Sequence, residues 1–170
     1  MLKIFFTTII AFIFSLLAFV QLCFSDTTVG IESFRINPEN EIEITSQSMV
    51  FNSKTNVTEF FNDVIVKYGQ LRLSAHRLTV SQSKKLNNYS NLTFFADGPV
   101  IINNQNNFIR GDQATFVEEN QEFIIDGNVS LLRDSNTIFG DRLILNLKDG
   151  IAKISGSVRT TIAPAGKSLK

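Results

Sequence analysis

Apolar and polar residues alternate with a period of two over most of the stretch from Glu41 to Ile162, in runs rich in Val, Ile, Phe and Thr. No window from Asp26 onward carries the i, i+3, i+4, i+7 spacing of an amphipathic helix, so the pattern predicts strands throughout. Small residues punctuate the runs at fixed intervals. Gly111-Asp112-Gln113-Ala114-Thr115-Phe116 is followed by Ile125-Asp126-Gly127-Asn128-Val129, and Gly140-Asp141-Arg142-Leu143-Ile144-Leu145 by Ile154-Ser155-Gly156-Ser157-Val158. Gly111 to Gly140 and Gly127 to Gly156 are both 29 residues. An earlier copy reads Ala75-His76 and Gly98-Pro99-Val100, and the first reads Ser46 and Asn62-Asp63-Val64. The step from Asn62 to Ala75, Gly98 to Gly111 and Gly127 to Gly140 is 13 residues each time. The second copy holds seven extra residues, and the polar stretch Lys84 to Asn91 is expected to place them in a longer surface loop. About four two-strand units result, none able to bury its own apolar face, so neighbours must cover one another. The expected class is all-β with eight to eleven strands.

Residues of like parity share a face of a strand. Apolar positions three and five after the first small residue are Met49 and Phe51, Leu78 and Val80, Ala114 and Phe116, Leu143 and Leu145. Around the second small residue they are Phe60, Val64 and Val66; Ala96, Val100 and Ile102; Ile125, Val129 and Leu131; and Ile154, Val158 and Thr160. Before the first small residue the apolar position lies two back, at Leu73, Ile109 and Ile138, which is of opposite parity. The pleat must change face there, and Gly-Asp is a natural place for a bulge or bend. Repeated, such a kink curls the ladder into a folded, half-closed sheet. The small residues along these strands also suggest an elongated apolar slot in place of a solid core.

Composition limits what the interior can be made of. Sixteen Phe against no Trp and two Tyr make the aromatic content mostly apolar rings. Ten of them remain for the folded part, because six lie in the first 24 residues. There, Lys3 precedes an apolar stretch from Ile4 to Leu22 and Cys23-Phe24-Ser25 supplies small residues at the cleavage positions, so residues 1–25 are expected to be a signal peptide cut before Asp26. The stretch also reaches the short limit of a bilayer span, which leaves an uncleaved anchor as the alternative. After cleavage no cysteine remains, and 15 basic against 16 acidic residues give a net charge of about −1. Neither disulfides nor a field for nucleic acid is expected. Residues 26–40 are expected as a flexible lead-in with at most a short strand at Ile31 to Ile36, residues 41–162 as the domain, and 163–170 as a disordered tail.

Catalysis needs a nucleophile with a base, a poised acid and base, or a metal cage, and the sequence displays none of these. His76 is the lone histidine and occupies the place of Asp112 and Asp141 in the repeat, which makes it a turn residue. Asp112 and Asp141 lack the dense Gly-Asp nonapeptides of calcium-binding β-rolls. The expectation is no enzyme, no metal and no cofactor.

In order and spacing, several strings resemble the OstA-like, LptA-type periplasmic proteins of lipopolysaccharide transport. These are Glu43-Ile44-Thr45-Ser46, Gly69-Gln70-Leu71-Arg72-Leu73-Ser74-Ala75-His76-Arg77-Leu78-Thr79-Val80, Ile109 to Phe116, Ile125 to Val129, and Gly140 to Leu147. The resemblance covers about Glu41 to Thr161 and implies a twisted, V-shaped β-jellyroll whose interior groove holds the acyl chains of lipid A. By it, Leu78, Val80, Val100, Ala114, Phe116, Ile125, Val129, Leu143 and Leu145 match interior apolar positions. It also implies strand addition at the two sheet edges, near Glu43 to Phe51 and Ala152 to Ile162. The implied partners are further copies of the chain head to tail, an inner-membrane receptor and the N-terminal domain of an outer-membrane translocon. Two readings stand beside it, a membrane-anchored receptor of the same system and a structural β-repeat with a solid core.

Overall fold

The computed structural model describes residues 27–30, 40–84, 90–105 and 107–163. Among these lie eleven strands: β1 (Thr27–Gly30), β2 (Ile42–Thr45), β3 (Ser48–Asn52), β4 (Val57–Tyr68), β5 (Leu71–Lys84), β6 (Ser90–Asn104), β7 (Asn107–Val117), β8 (Glu122–Arg133), β9 (Asn136–Asn146), β10 (Ile151–Ser155) and β11 (Arg159–Thr161). They pair antiparallel in the order β1-β10-β9-β8-β7-β6-β5-β4-β2, with β3 also on β4 and β11 also on β9. The sheet does not close on itself, and the all-β expectation holds.

The long strands each serve two half-sheets. Every ladder from β4 to β9 is broken once, between Phe61 and Val64, Ser74 and Arg77, Asp97 and Val100, Arg110 and Gln113, and Asp126 and Val129. The breaks line up across the strands into a spine along which the sheet folds over. One leaf holds β3, β1 and β10 with the adjoining halves of β4 to β9; the other holds β2 and β11 with the remaining halves. Between them lies an apolar interior that includes Val64, Leu73, Val100, Ile102, Ile109 and Leu131 from one leaf and Leu78, Ala96, Ile125, Leu143, Leu145 and Ile154 from the other. Among the described residues, hydrogen-bonded pairing connects the leaves only through strands that cross the spine.

The spine follows from the small residues, but the extra residue sits at the second of each pair, not at the Gly-Asp expected from sequence. Left-handed backbone occurs at Asn62 and Asp63, at Gly98, at Gly127 and Asn128, and at Gly156 and Ser157. Gly111 and Gly140 are absent from that conformation. What they supply is room, since a Cβ at Gly140 would stand 2.5 Å from Ile154 Cγ2 and one at Gly111 would collide with Ile125 Cγ2. Asp112 and Asp141 then fold over Gly127 and Gly156, where a Cβ would strike the carboxylate. Asn128 Nδ2 donates to Asp112 Oδ2 at 2.8 Å, and Gln47 Nε2 to Asp63 Oδ2 at 2.6 Å. His76 lies against Gly98 as the two aspartates lie against their glycines, but it sits within β5 and the bend is made across from it at Gly98, so it is not the turn residue expected from sequence.

Gly127→Ala therefore meets two penalties, a φ of +78° and the Asp112 carboxylate. A loss of about 1–3 kcal/mol is expected from urea unfolding. Asp112→Ala in the same chain should recover only the steric part of it.

Two further features differ from expectation. The seven extra residues of the second copy lengthen a hairpin, because β5 and β6 run to 14 and 15 residues and stay paired as far as Lys84 and Ser90. Of the stretch Lys84 to Asn91 expected as a loop, residues 85–89 lie outside the described residues. A strand does form in the lead-in, but at Thr27–Gly30, where it pairs with β10. The short strand considered at Ile31 to Ile36 lies outside the described residues, as do residues 1–26 and 164–170.

Candidate functional site

All nine sequence-derived interior positions face the space between the leaves. Leu78, Val100, Ala114, Phe116, Ile125, Val129, Leu143 and Leu145 are buried, and Val80 is half-buried against them. The ladders explain the grouping: Ala114 is opposite Ile125, which is opposite Leu143, and Phe116 is opposite Phe123, which is opposite Leu145. Facing partners on neighbouring strands share a side of the sheet, so a correct period of two places the whole set together.

Away from the spine, at the mouth, aromatic rings meet across the gap. Phe116 is the hub, with ring centroids 4.7 Å from Phe123, 5.8 Å from Phe94 and 6.1 Å from Tyr68 of the opposite leaf. Burial pushes the Tyr68 hydroxyl above its ordinary pKa, and the nearby Glu118 carboxylate adds to the effect. Glu118 and Glu119 are not simply solvated at the β7–β8 turn. Glu118 Oε2 accepts from the Leu92 amide at 3.1 Å and Glu119 Oε2 from Asn91 Nδ2 at 2.7 Å. They tie that turn to the extended β5–β6 hairpin.

Within this aromatic mouth the unfilled space is about 20 Å³, lined by Ile42, Val66, Tyr68, Leu71, Leu73, Leu78, Phe94, Phe116 and Phe123. That is room for a single water. Among the described residues, Gly111 and Gly140 do not leave the vacant slot anticipated from sequence, because Ile125 and Ile154 occupy the interior places beside them. In this conformation the leaves rest on each other.

The two ends of the groove are unlike. On β3, Met49 is opposite Phe60 and Phe51 is opposite Thr58, so both belong to the interior face, yet each is 58% exposed. Parity gave their side of the sheet correctly, but strand order decides cover: β3 ends its leaf, and among the described residues nothing is folded over it. Val50, on the other side of the same strand, faces out opposite Glu59. At the far end, Ala152 and Ile154 are fully buried on β10, and β1 occupies its outer edge. Thr160 shares the interior side with Ile138 but lies exposed on the terminal β11. Among the described residues, the apolar interior face thus runs out into solvent at Met49 and Phe51 of the β3 end and, on the other leaf, past Thr160 of β11, where Ile162 is 74% exposed, while the β10 end is sealed.

Residues 43–151 match the family model described as LptA/(LptD N-terminal domain) LPS transport protein. The chain belongs to that family. Its members are lipopolysaccharide transport proteins. Among solved structures, the chain is similar to LptH, the LptA homologous periplasmic component of the conserved lipopolysaccharide transport device from Pseudomonas aeruginosa, with a TM-score of 0.65 and 16% identity. The match takes in 75% of this chain and 98% of that one, and at this identity it speaks for the fold. No curated protein matches. For a protein of this family, the folded-over open sheet is the LptA-like β-jellyroll that the repeat strings implied.

Proposed function

We propose that the chain is a periplasmic bridge that shelters the acyl chains of lipopolysaccharide between its two leaves and passes them between membranes by edge-to-edge assembly. The observation that carries the reading is the uncovered continuation of the interior face at Met49 and Phe51. A solid-cored β-repeat has no reason to leave its inner face open at one end, whereas a trough that continues into a neighbour does. Moving an acyl chain through water costs about 0.8 kcal/mol per methylene, so on the order of 9 kcal/mol for twelve carbons. Contact with both leaves removes most of that cost.

Loading then requires the leaves to part at the mouth while the spine stays intact. Contacts between the leaves are apolar side chains, and a lipid tail replaces one apolar contact by another. Parting is therefore close to balanced in area removed from water. The nine interior residues supply the lining, Phe116 the closure at the mouth, and Met49 and Phe51 the lip where a tail arrives. Export by a cleaved segment before Asp26 puts the chain in the compartment this role needs. Partners by the same reading are copies of itself, an inner-membrane receptor and an outer-membrane translocon domain.

A photo-crosslinking residue placed at Phe51, at Phe116 and at Val50 tests the lining in living cells. Adducts with lipopolysaccharide are expected at Phe51 and Phe116 and not at Val50, which lies on the same strand as Phe51 but on its outer side. Phe51→Asp should fold with stability within about 0.5 kcal/mol of the parent because the site is exposed. Its lipid loading should fall about tenfold or more, the equivalent of losing one buried aromatic contact. Equal labelling at all three positions, or loading unchanged by Phe51→Asp, would reject the groove.

A further inference from the structure

The outer edge of β10 is where a neighbouring strand would add at the C-terminal end of the sheet, and in this structure it is already taken. Thr27 pairs with Ile154, Thr28 with Lys153, Val29 with Ala152 and Gly30 with Ile151, which leaves only Ser155 of the five β10 residues without a β1 partner. β1 has an unusual place in the chain. Its successor β2 stands at the opposite end of the strand order, so no hairpin turn holds β1 against β10. It is four residues long, with Val29 its one sizeable apolar residue. Among the described residues, a strand so short, whose next strand in sequence stands at the far end of the sheet, is held by its four β10 pairs alone.

A better occupant for that edge exists on the same molecule. β3 is five residues long, as β10 is, and its outer edge is open among the described residues. Laid against β10 of another copy, it would set Met49 and Phe51 beside Ala152 and Ile154, joining the interior faces of two molecules and covering side chains that are now 58% exposed. It cannot do so while β1 is there. We infer that β1 is an exchangeable cap, which holds the C-terminal edge closed in the free chain and leaves when β3 of a second copy takes its place. This rests on the edge-assembly reading above and adds a control to it: a lone chain offers its β3 edge but withholds its β10 edge.

Thr28→Cys/Lys153→Cys, in a Cys23→Ser background and purified from the periplasm, places two cysteines on directly opposed positions of an antiparallel pair, within disulfide reach. Oxidation locks the cap, and reduction of the same protein frees it. In a separate variant, Thr28→Pro/Val29→Pro removes two adjacent amides, one of which faces β10, and so loosens the cap without shortening the chain. Sedimentation is expected to find the oxidised form monomeric, the reduced form associating, and the proline form associating more tightly. The gain is about tenfold if the cap is closed in roughly nine molecules of ten. Equal association in all three forms would overturn the cap and leave edge assembly standing. Three monomers at every concentration would overturn both.

Discussion

Leu143→Asp is expected to leave no folded protein at neutral pH. Leu143 is fully buried on β9, between Ile125 of β8 and Ile154 of β10, both themselves fully buried. A carboxylate there has no cation and no water, so its pKa would rise by up to 3–5 units, which at 1.36 kcal/mol per unit is about 4–7 kcal/mol. Loss of the leucine adds about 1.5–3 kcal/mol of burial. Together they rival the whole stability of a domain, about 5–15 kcal/mol. Circular dichroism should show the loss, and its pH dependence should be diagnostic. Because the introduced group has a raised pKa in the folded state, the charge penalty is absent below the unfolded value near 4 and grows as pH rises. Any folded fraction should therefore increase on acidification towards pH 4. Val50→Asp, on the outer side of β3, should change stability by no more than about 0.5 kcal/mol. Substitution at a fully buried position such as Leu143 reports on folding, whereas substitution at the exposed β3 does not.

That division was only half legible in the sequence. Parity assigned Leu78, Ala114, Phe116, Leu143, Met49 and Phe51 to one side of the sheet, and the structure puts them there, because a period of two follows from strand geometry alone. Whether a residue on that side is covered depends on which strands end each leaf. Spacing within a repeat carries no information about that, so Met49 and Phe51 read the same as Leu143 although one set is open and the other sealed. The spine was legible as a recurrent small residue, and its mechanism was misplaced by one strand. Gly111 and Gly140 look like bend glycines, but they are needed because isoleucines cross them, while the bend is made at Asn62, Gly98, Gly127 and Gly156. A close approach and a left-handed turn both select glycine, and only the fold separates the two. β1 could not have been read at all: four residues with one large apolar side chain carry no period, and its partner lies more than a hundred residues away.

Phe116→Ala is the second change expected to have a large effect, and its value lies in being reversible by cargo. Its ring contacts Phe94 and Phe123 on its own leaf and Tyr68 on the other, so truncation removes the hub of the mouth and leaves a cavity where about 20 Å³ was open before. Large-to-small changes of a buried phenylalanine cost about 3–5 kcal/mol, and the strands around the mouth are held in place by their ladders, which limits collapse into the space. For the empty protein, thermal unfolding should fall by roughly 10 °C or more. Unlike a buried carboxylate, the cavity is apolar and opens where the leaves already meet only through side chains. A lipid tail can fill it. Ligand that binds the folded state alone stabilises by RT ln(1 + [L]/Kd), about 2.7 kcal/mol at a hundredfold excess over Kd. Lipopolysaccharide should therefore raise the melting temperature of Phe116→Ala, and by more than it raises that of the parent, since the variant no longer has to displace its own ring to admit the chain. A lipid effect equal in the two proteins would mean that Phe116 packs the interior without guarding it.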